Sequence, residues 1–481
     1  LKKRFLTNLA LLVLLNLLIK PFWFFGIEVG VQNRVGEEMY GFYFSLFNFT
    51  FILNILLDLG INNFNNRALS RDHNLLGEHL AAIVPLKLLL AVIYAVVVLV
   101  AGKLIGYSNT QFRMLWILII NQFLASFIIY LRTNISGLQY YRTDSLLSVL
   151  DRGLMILFTG LLLWGNITRQ PFRIEWFVYA QSLSYLLTGI IAGSIVRFHS
   201  GRLTGRINWK RSLGILRLSY PFALLILLMS TFNRVDSVML ERMLENGKAE
   251  SGVYAQSFRV FDAFSQFSFL FAMLLLPMFS RMIKLGQEVN DLVRIALPIL
   301  LVAGITVGIA GNLYGTEIID LIYLHPAPSS PMIFGLLMAG FLFVSASYIY
   351  GTLLTANNNL KQLNILAGAT VVLNITLNLF LIPRYHAAGA AISSLCSQAF
   401  YAFAQFLLSR RLLRIPLNGD ILIRLAIFLA LNLVTGYLSR YLPGWIPGLI
   451  TLLVSCMVSS LLLGLIRPVE LISVLREEPG S

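Results

Sequence analysis

Six ionisable side chains stand inside long apolar runs of this chain: Lys20, Lys87, Arg234, Asp236, Arg259 and Asp262. An ionised group at such a place costs several kcal/mol unless it meets a partner or a water-filled cavity. The cations among them suggest one chemistry in particular. A guanidinium offers a planar fork of donors that matches phosphate, and an ammonium adds a compact point charge. Lys20 lies sixteen residues before Gly36, and Arg234 thirteen before Gly247. With Arg259 they could line one basic cavity that receives an anionic group. The alternative is local pairing: Arg234 with Asp236, Arg259 with Asp262 three residues on, and Lys20 reaching outward along its stem. Asp236, Asn374 and Asn378 are further candidates for cavity or interhelical contacts, the two asparagines sharing a helix face at i and i+4.

The elements that must hold these residues follow from composition. Of 481 residues, 57% are hydrophobic and only 12% charged, and mean hydropathy is +0.78. Soluble domains carry about 25% charged residues. The chain is therefore expected to be an all-α polytopic membrane protein. A span needs roughly 20 apolar residues, and that ruler predicts about fourteen helices. Their approximate limits are 5–25, 40–59, 80–101, 112–131, 146–164, 176–196, 213–232, 253–278, 292–311, 331–354, 363–382, 387–408, 421–442 and 446–466. The first is read as a retained helix, since Lys20-Pro21 and Phe22-Trp23-Phe24-Phe25 do not form a small-residue cleavage site.

The net charge of +15 follows topology and does not call for nucleic acid. Lys2, Lys3 and Arg4, then Arg67, Arg142, Arg197 to Arg211, Arg281, Lys284, Lys361 and Arg410 to Arg414 fall on one side of the predicted helices. By the positive-inside rule that side is the cytoplasm, with both termini there. Trp23, Trp116, Trp164, Trp176 and Trp445 fall at the opposite ends and Trp209 in a cytoplasmic loop, as interfacial indoles should. Cys396 and Cys456 are expected to be buried small hydrophobes. His73 and His79 are expected to be solvated, and Asp58 to cap its helix or pair with Arg67.

A repeat organises the chain. Gly36, Gly41 and Tyr43 recur in spacing as Gly247, Gly252 and Tyr254, each set following the first helix of a predicted half. The offset of six helices gives parallel halves related by a pseudo-two-fold along the membrane normal. The expected division is an N-terminal lobe over 1–200, a basic linker at 201–212, a C-terminal lobe over 213–410, and two further helices with a tail over 411–481.

The stretch Leu373-Asn374-x-x-Leu377-Asn378-Leu379, followed by Leu381-Ile382-Pro383-x-Tyr385 and Gly389-Ala390-Ala391, resembles a signature of bacterial polysaccharide exporters. These are the O-antigen and related flippases of the multidrug/oligosaccharidyl-lipid/polysaccharide superfamily. Arg34-x-Gly36 with Tyr40-Gly41-x-Tyr43, Asp58-Leu59-Gly60 with Asn66-Arg67, and Asp236 with Gly252-x-Tyr254 and Arg259 agree. The resemblance implies two six-helix lobes around a cavity open alternately to each side of the inner membrane. It implies an undecaprenyl-pyrophosphate-linked sugar as substrate, with a polysaccharide polymerase and chain-length regulator as further partners. By position, Arg259, then Arg234 and Lys20, are its candidates for the pyrophosphate contact, and the lipid tail would lie in a groove facing the bilayer. Pro383 and Tyr385 would set the turn, and Gly389 would permit close packing of the next helix. One departure stands out: the family commonly has Gly after that Tyr, and this chain has His386.

Two other classes compete. A cation-coupled drug exporter of the same superfamily would need a buried carboxylate site in one lobe. A membrane polymerase or acyltransferase would be expected to show a large outer loop or an intramembrane His, which the predicted helices lack. Neither a phosphate-binding G-x-x-x-x-G-K-[ST] loop nor an H-E-x-x-H zinc motif occurs in the sequence. No catalytic residue, metal or cofactor is therefore predicted.

Overall fold

Hydrocarbon offers backbone amides no partner, so a spanning chain closes its hydrogen bonds within helices. A computed structural model describes residues 18–165, 167, 170–200, 209–415 and 419–466, and the described residues contain no strand. The expected helix before residue 18, the basic residues Lys2, Lys3, Arg4, Arg202 and Arg206, and the tail beyond 466 lie outside them. A π-helical turn, Phe22–Glu28, leads into α1 (Val29–Ile52). Next come α2 (Ile61–Arg71), α3 (Leu76–Ile105), α4 (Asn109–Gly137), α5 (Tyr141–Trp164), α6 (Ile174–His199) and α7 (Trp209–Met243). The second half holds α8 (Gly247–Lys284), α9 (Asn290–Leu313), α10 (Gly315–Ile322), α11 (Ser330–Ala356), α12 (Leu360–Leu413), α13 (Gly419–Ser439) and α14 (Trp445–Leu462). Eleven described helices are long and apolar enough to span a membrane, and a twelfth span forms if the pair Leu18–Ile52 and Asn54–Ser70, bent by 51°, counts as one. This is a multi-pass, all-helical membrane protein, as its sequence implied. Trp209, expected in a loop, is the first residue of α7.

Two continuous helices hide reversals that the sequence had drawn as separate spans. In α1 the break is Gly36, at φ 79° and ψ 169°, a conformation open essentially to glycine alone. Trp23 and Tyr43 both reach the ring of Phe177, at centroid distances of 5.9 and 5.4 Å. Twenty residues of straight helix would separate them by about 30 Å, so the chain folds back at Gly36. In α12 the break is His386, at φ 54° and ψ −132°. The expected turn therefore forms even with His in place of Gly, and the residue carries the positive φ that glycine would have adopted without strain. Asn374 donates to Ser393 Oγ at 3.4 Å, and Ser393 donates to the Asn374 carbonyl at 3.0 Å. Along a straight helix these residues would stand about 28 Å apart. Gly389 permits the return, because a Cβ there would lie 2.3 Å from the Leu381 carbonyl oxygen.

Cα packing divides the chain into two compact units, Leu1–Gly252 and Val253–Ser481. The sequence had placed the boundary in the 201–212 loop; in the structure α7 packs with the first unit. There the repeat becomes visible as contact. A Cβ on Gly41 would lie 1.8 Å from the Lys248 carbonyl oxygen, and one on Gly252 would lie 2.0 Å from the Glu37 carbonyl oxygen. Each motif glycine thus meets the carbonyl four residues before the other. Gln32 fastens the same crossing, its Nε2 donating to the Gly252 carbonyl at 2.9 Å. The motif tyrosine Tyr43 accepts from Gln181 Nε2 at 3.0 Å, and its counterpart Tyr254 is buried in the second unit. In that unit α9 packs against α13 and α14 through Ile305, Ile309, Phe428, Leu452 and Cys456.

Gly41→Ala and Gly252→Ala should each force the α1–α8 crossing apart and cost about 1–3 kcal/mol, read as a lowered thermal unfolding midpoint in detergent. At the α12 break, His386→Gly should be tolerated and His386→Val should cost about 1–3 kcal/mol, since a β-branched side chain suits positive φ least. Equal midpoints for the two His386 variants would contradict the strained turn.

Candidate functional site

Within the predicted spans of the first unit, an accessible charge stands at Arg152 on α5. Its side chain is 35% exposed although it lies within a predicted span. The guanidinium lies over the Trp23 indole at 5.2 Å and its Nη1 donates to Met155 Sδ at 3.5 Å, while Tyr185 of α6 is near enough to act on it electrostatically. Asp151 lies 3.9 Å from Arg152 Nε. Glu28 and Tyr43 act on Arg152 electrostatically, and Lys20 feels Arg152, Asp151 and Arg132. Arg132 itself is held by Asp144 at 2.8 Å. Lys20 precedes the π-helical turn, which carries Trp23 and Glu28; α1 adds Tyr43, α4 Arg132, α5 Asp151 and Arg152, and α6 Tyr185. A π turn shifts the register of the side chains that follow it and recurs at functional sites. Glu28 is 7% exposed and the Asp151 side chain 19%, while Lys20 is exposed. The acids are thus less accessible than the two cations.

Other intramembrane charges are tied into protein. Arg234 on α7 donates to Asn48 Oδ1 at 2.9 Å and lies 4.2 Å over the Phe51 ring; Asn48 in turn donates to Ser237 Oγ at 2.8 Å. Asp236 beside it is fully buried. Lys87 on α3 donates to Asp58 Oδ1 at 2.7 Å and to the Leu57 carbonyl at 3.0 Å. This corrects the expected Asp58–Arg67 pair. Asp58 also accepts from the backbone N–H groups of Gly60, at 3.2 Å, and Asn62, at 3.1 Å. The physical reason is that Lys87 lies within the apolar layer with a 2% exposed side chain, so the carboxylate serves the cation that cannot reach water. His79 is likewise buried, its Nδ1 2.9 Å from Asn65 Oδ1 and its ring stacked on Phe64. The expectation that it is solvated fails because α3 begins at Leu76, which draws it into the helix packing.

The second unit carries Arg259, half-buried on α8 three residues before Asp262. Asn374 and Asn378 are fully buried there, and Asn378 Nδ2 donates to Asn374 Oδ1 at 3.2 Å. With Ser393 they clasp the two arms of α12. Pro383 lies inside α12 three residues before the His386 break, and Tyr385 is exposed beside it. Cys456 is buried as expected, but Cys396 is exposed and lines an apolar cavity of about 570 Å³ with Leu342 and Phe343.

The sequence profile described as "Polysaccharide biosynthesis protein" matches residues 5–283. The chain belongs to that family. Its fold resembles a solved structure of "Lipid II flippase MurJ, inward closed conformation", with TM-score 0.73 and 13% identity, covering 95% of this chain and 98% of the other. An inward-facing multidrug resistance MATE transporter of the MOP superfamily aligns with TM-score 0.62 and 16% identity, covering 80% of this chain and 92% of that one. A MOP superfamily transporter from Pyrococcus furiosus, whose title speaks of reverse polarity of the binding pocket, aligns with TM-score 0.57 and 15% identity, covering 85% and 95%. Comparison with curated proteins found no match.

Within this polysaccharide biosynthesis protein, the structure brings Lys20 near Arg152 and places Arg234 with Asn48 and Phe51. Arg259 belongs to the other unit. Arg152 and Tyr185 were missed by sequence reasoning. The signal was present: Asp151-Arg152 lies inside the predicted 146–164 span, and the criterion that singled out Lys20 selects it equally. Among the described residues no group of His, Cys, Asp and Glu has metal-binding geometry.

The Lys87–Asp58 pair generates a stability prediction. Lys87→Met leaves a carboxylate without its cation and should cost roughly 3–5 kcal/mol, whereas Lys87→Met with Asp58→Asn should recover most of the loss. Thermal unfolding of the purified variants checks this, and a double variant no better than the single would refute the pairing.

Proposed function

We propose that this membrane protein is a flippase that carries an undecaprenyl-pyrophosphate-linked oligosaccharide across the bacterial inner membrane by alternating access. Its product would feed O-antigen, capsule or exopolysaccharide synthesis, with both termini in the cytoplasm. The observation that carries the reading is the accessible Arg152 guanidinium within the first unit's helices, joined by Lys20 and walled by Trp23 and Tyr185. A guanidinium fork binds phosphate oxygens in pairs, and its value rises where water is scarce. Trp and Tyr offer apolar faces with polar edges, surfaces that suit a sugar. Arg259 and Arg234 are the further cations that family resemblance assigns to the same task. Family membership and the fold shared with MurJ support a transporter over an enzyme.

The same superfamily includes multidrug transporters, and the Arg152 cluster does contain Glu28 and Asp151. Their lower exposure favours a role in holding the cations over a role in receiving a cationic drug. Polymerase and chain-length partners remain expectations from the family.

Deleting the gene in its native host should raise the pool of undecaprenyl-linked glycan and abolish the surface polymer. Wild type should restore both. Arg152→Ala at equal protein level should lower export about tenfold or more, the worth of a charge-assisted hydrogen bond or two, with Arg152→Lys intermediate and Arg259→Ala also impaired. Unchanged glycan pools with new drug sensitivity would overturn the flippase reading in favour of the exporter.

A further inference from the structure

In the second unit a polar cavity opens into an apolar groove at one end of the helix bundle. The polar cavity, about 320 Å³, is lined by Asp291, Arg294, Asp420 and Arg424 with Gly464 and Leu465. The groove, about 670 Å³, runs between α9, α11, α12 and α13, over Leu297, Leu301, Phe343, Phe406 and Leu422 among others. Arg294, Pro298 and Ile421 line both, so the two are continuous, and Arg410 stands at the groove's same end. That end is formed by the start of α9, the close of α12, the start of α13 and the close of α14. It is where the sequence places the cytoplasm.

The cavity's charges are arranged as two acids and two bases. Arg424 is fixed by Asp420, Nε to Oδ2 at 2.9 Å, and by the Leu463 carbonyl, to which Nη1 donates at 2.7 Å. A guanidinium has five N–H donors, so these contacts orient the fork without exhausting it. A ligand complementary to this cavity carries one anionic and one cationic group. A purely anionic headgroup would meet Asp291 and Asp420 as repelling charges. The groove adds a demand for a hydrocarbon chain. Along α9 from Arg294 to Ile305 it extends about 16 Å, close to the roughly 15 Å of hydrocarbon in one leaflet.

We propose that this cavity and groove form a site for a phosphoethanolamine phospholipid of the adjoining leaflet. The phosphodiester faces Arg294 and Arg424, the primary ammonium faces Asp420 and Asp291, and one acyl chain fills the groove. The lipid then braces α13 and α14 against α9 and α12. This site lies wholly in the second unit and is independent of the transport reading.

The test is titration of the purified, delipidated protein with phosphatidylethanolamine, phosphatidylglycerol and phosphatidylcholine of matched chains, and with a polyprenyl monophosphate, read by native mass spectrometry and thermal unfolding. Phosphatidylethanolamine should bind about tenfold more tightly than the other two phospholipids, as one lost charge-assisted contact implies, and should raise the unfolding midpoint most. Arg294→Gln with Asp420→Asn should abolish the headgroup ranking. Ala399→Phe, which fills the groove wall, should weaken all three phospholipids together. Equal binding of the three by wild type would overturn the site, and that comparison needs no variant to fold. Displacement of phosphatidylethanolamine by the polyprenyl phosphate at equal concentration would also overturn it, assigning the groove to an isoprenoid chain.

Discussion

The constraint on which the structure depends is that no backbone amide can be left unbonded in hydrocarbon. It turns almost every described residue into helix and leaves reversals as the places where sequence must do something special. Gly36 takes a conformation no side chain accepts, and it lets Trp23 and Tyr43 return to one Phe177 ring. His386 does the corresponding work in α12 at a conformational cost, and the buried Asn374, Asn378 and Ser393 offset it by binding the two arms together. Amides on that helix are therefore neither lipid-facing nor decorative. Asn378 donates to Asn374, and Asn374 to Ser393, inside the helix packing.

The same constraint explains the paired glycines. Helices in a membrane gain little from burying apolar side chains against each other, because lipid is as apolar as leucine. Association then rests on close backbone approach, and at Gly41 and Gly252 the backbones of α1 and α8 come near enough to leave no room for a Cβ. The reciprocal contact, each glycine against the carbonyl four residues before the other, reproduces in three dimensions the spacing repeat that is visible in the chain. Both glycines belong to the first unit, so this crossing lies within it.

Much of this fold was legible in the sequence because length and hydropathy alone set the spans. What could not be read was pairing across space. Asp58 and Lys87 are twenty-nine residues apart and belong to different elements, so the nearer Arg67 looked the more natural partner. His79 falls just outside the predicted 80–101 span, beside Glu78, yet is buried against Asn65 and Phe64. Arg152 could have been read by depth, since it lies inside the predicted 146–164 span; its immediate neighbour is the opposite charge Asp151. In a helix, however, adjacent residues point about 100° apart, and here the two are 3.9 Å apart at their nearest charged atoms while Arg152 remains open.

That difference separates charges that hold the protein from charges that can act. Lys87 reaches a carboxylate and a carbonyl at hydrogen-bond distance and has almost no accessible surface. Its charge is spent within the fold. Arg234 is an intermediate case, held by Asn48 and laid on Phe51 but only half-buried. Arg152 combines an aromatic floor, a tyrosine and less accessible acids with a third of its side chain still accessible. A side chain costly to place in a membrane, contacted by other groups and still partly accessible, has the features that the proposed anion contact requires. Those contacts restrict the rotamer beforehand, so less conformational entropy remains to be lost when an anion binds. On the proposed reading, burial and partners, more than depth in a helix, mark the intramembrane cation that acts, and depth was the only one of the three that the sequence offered.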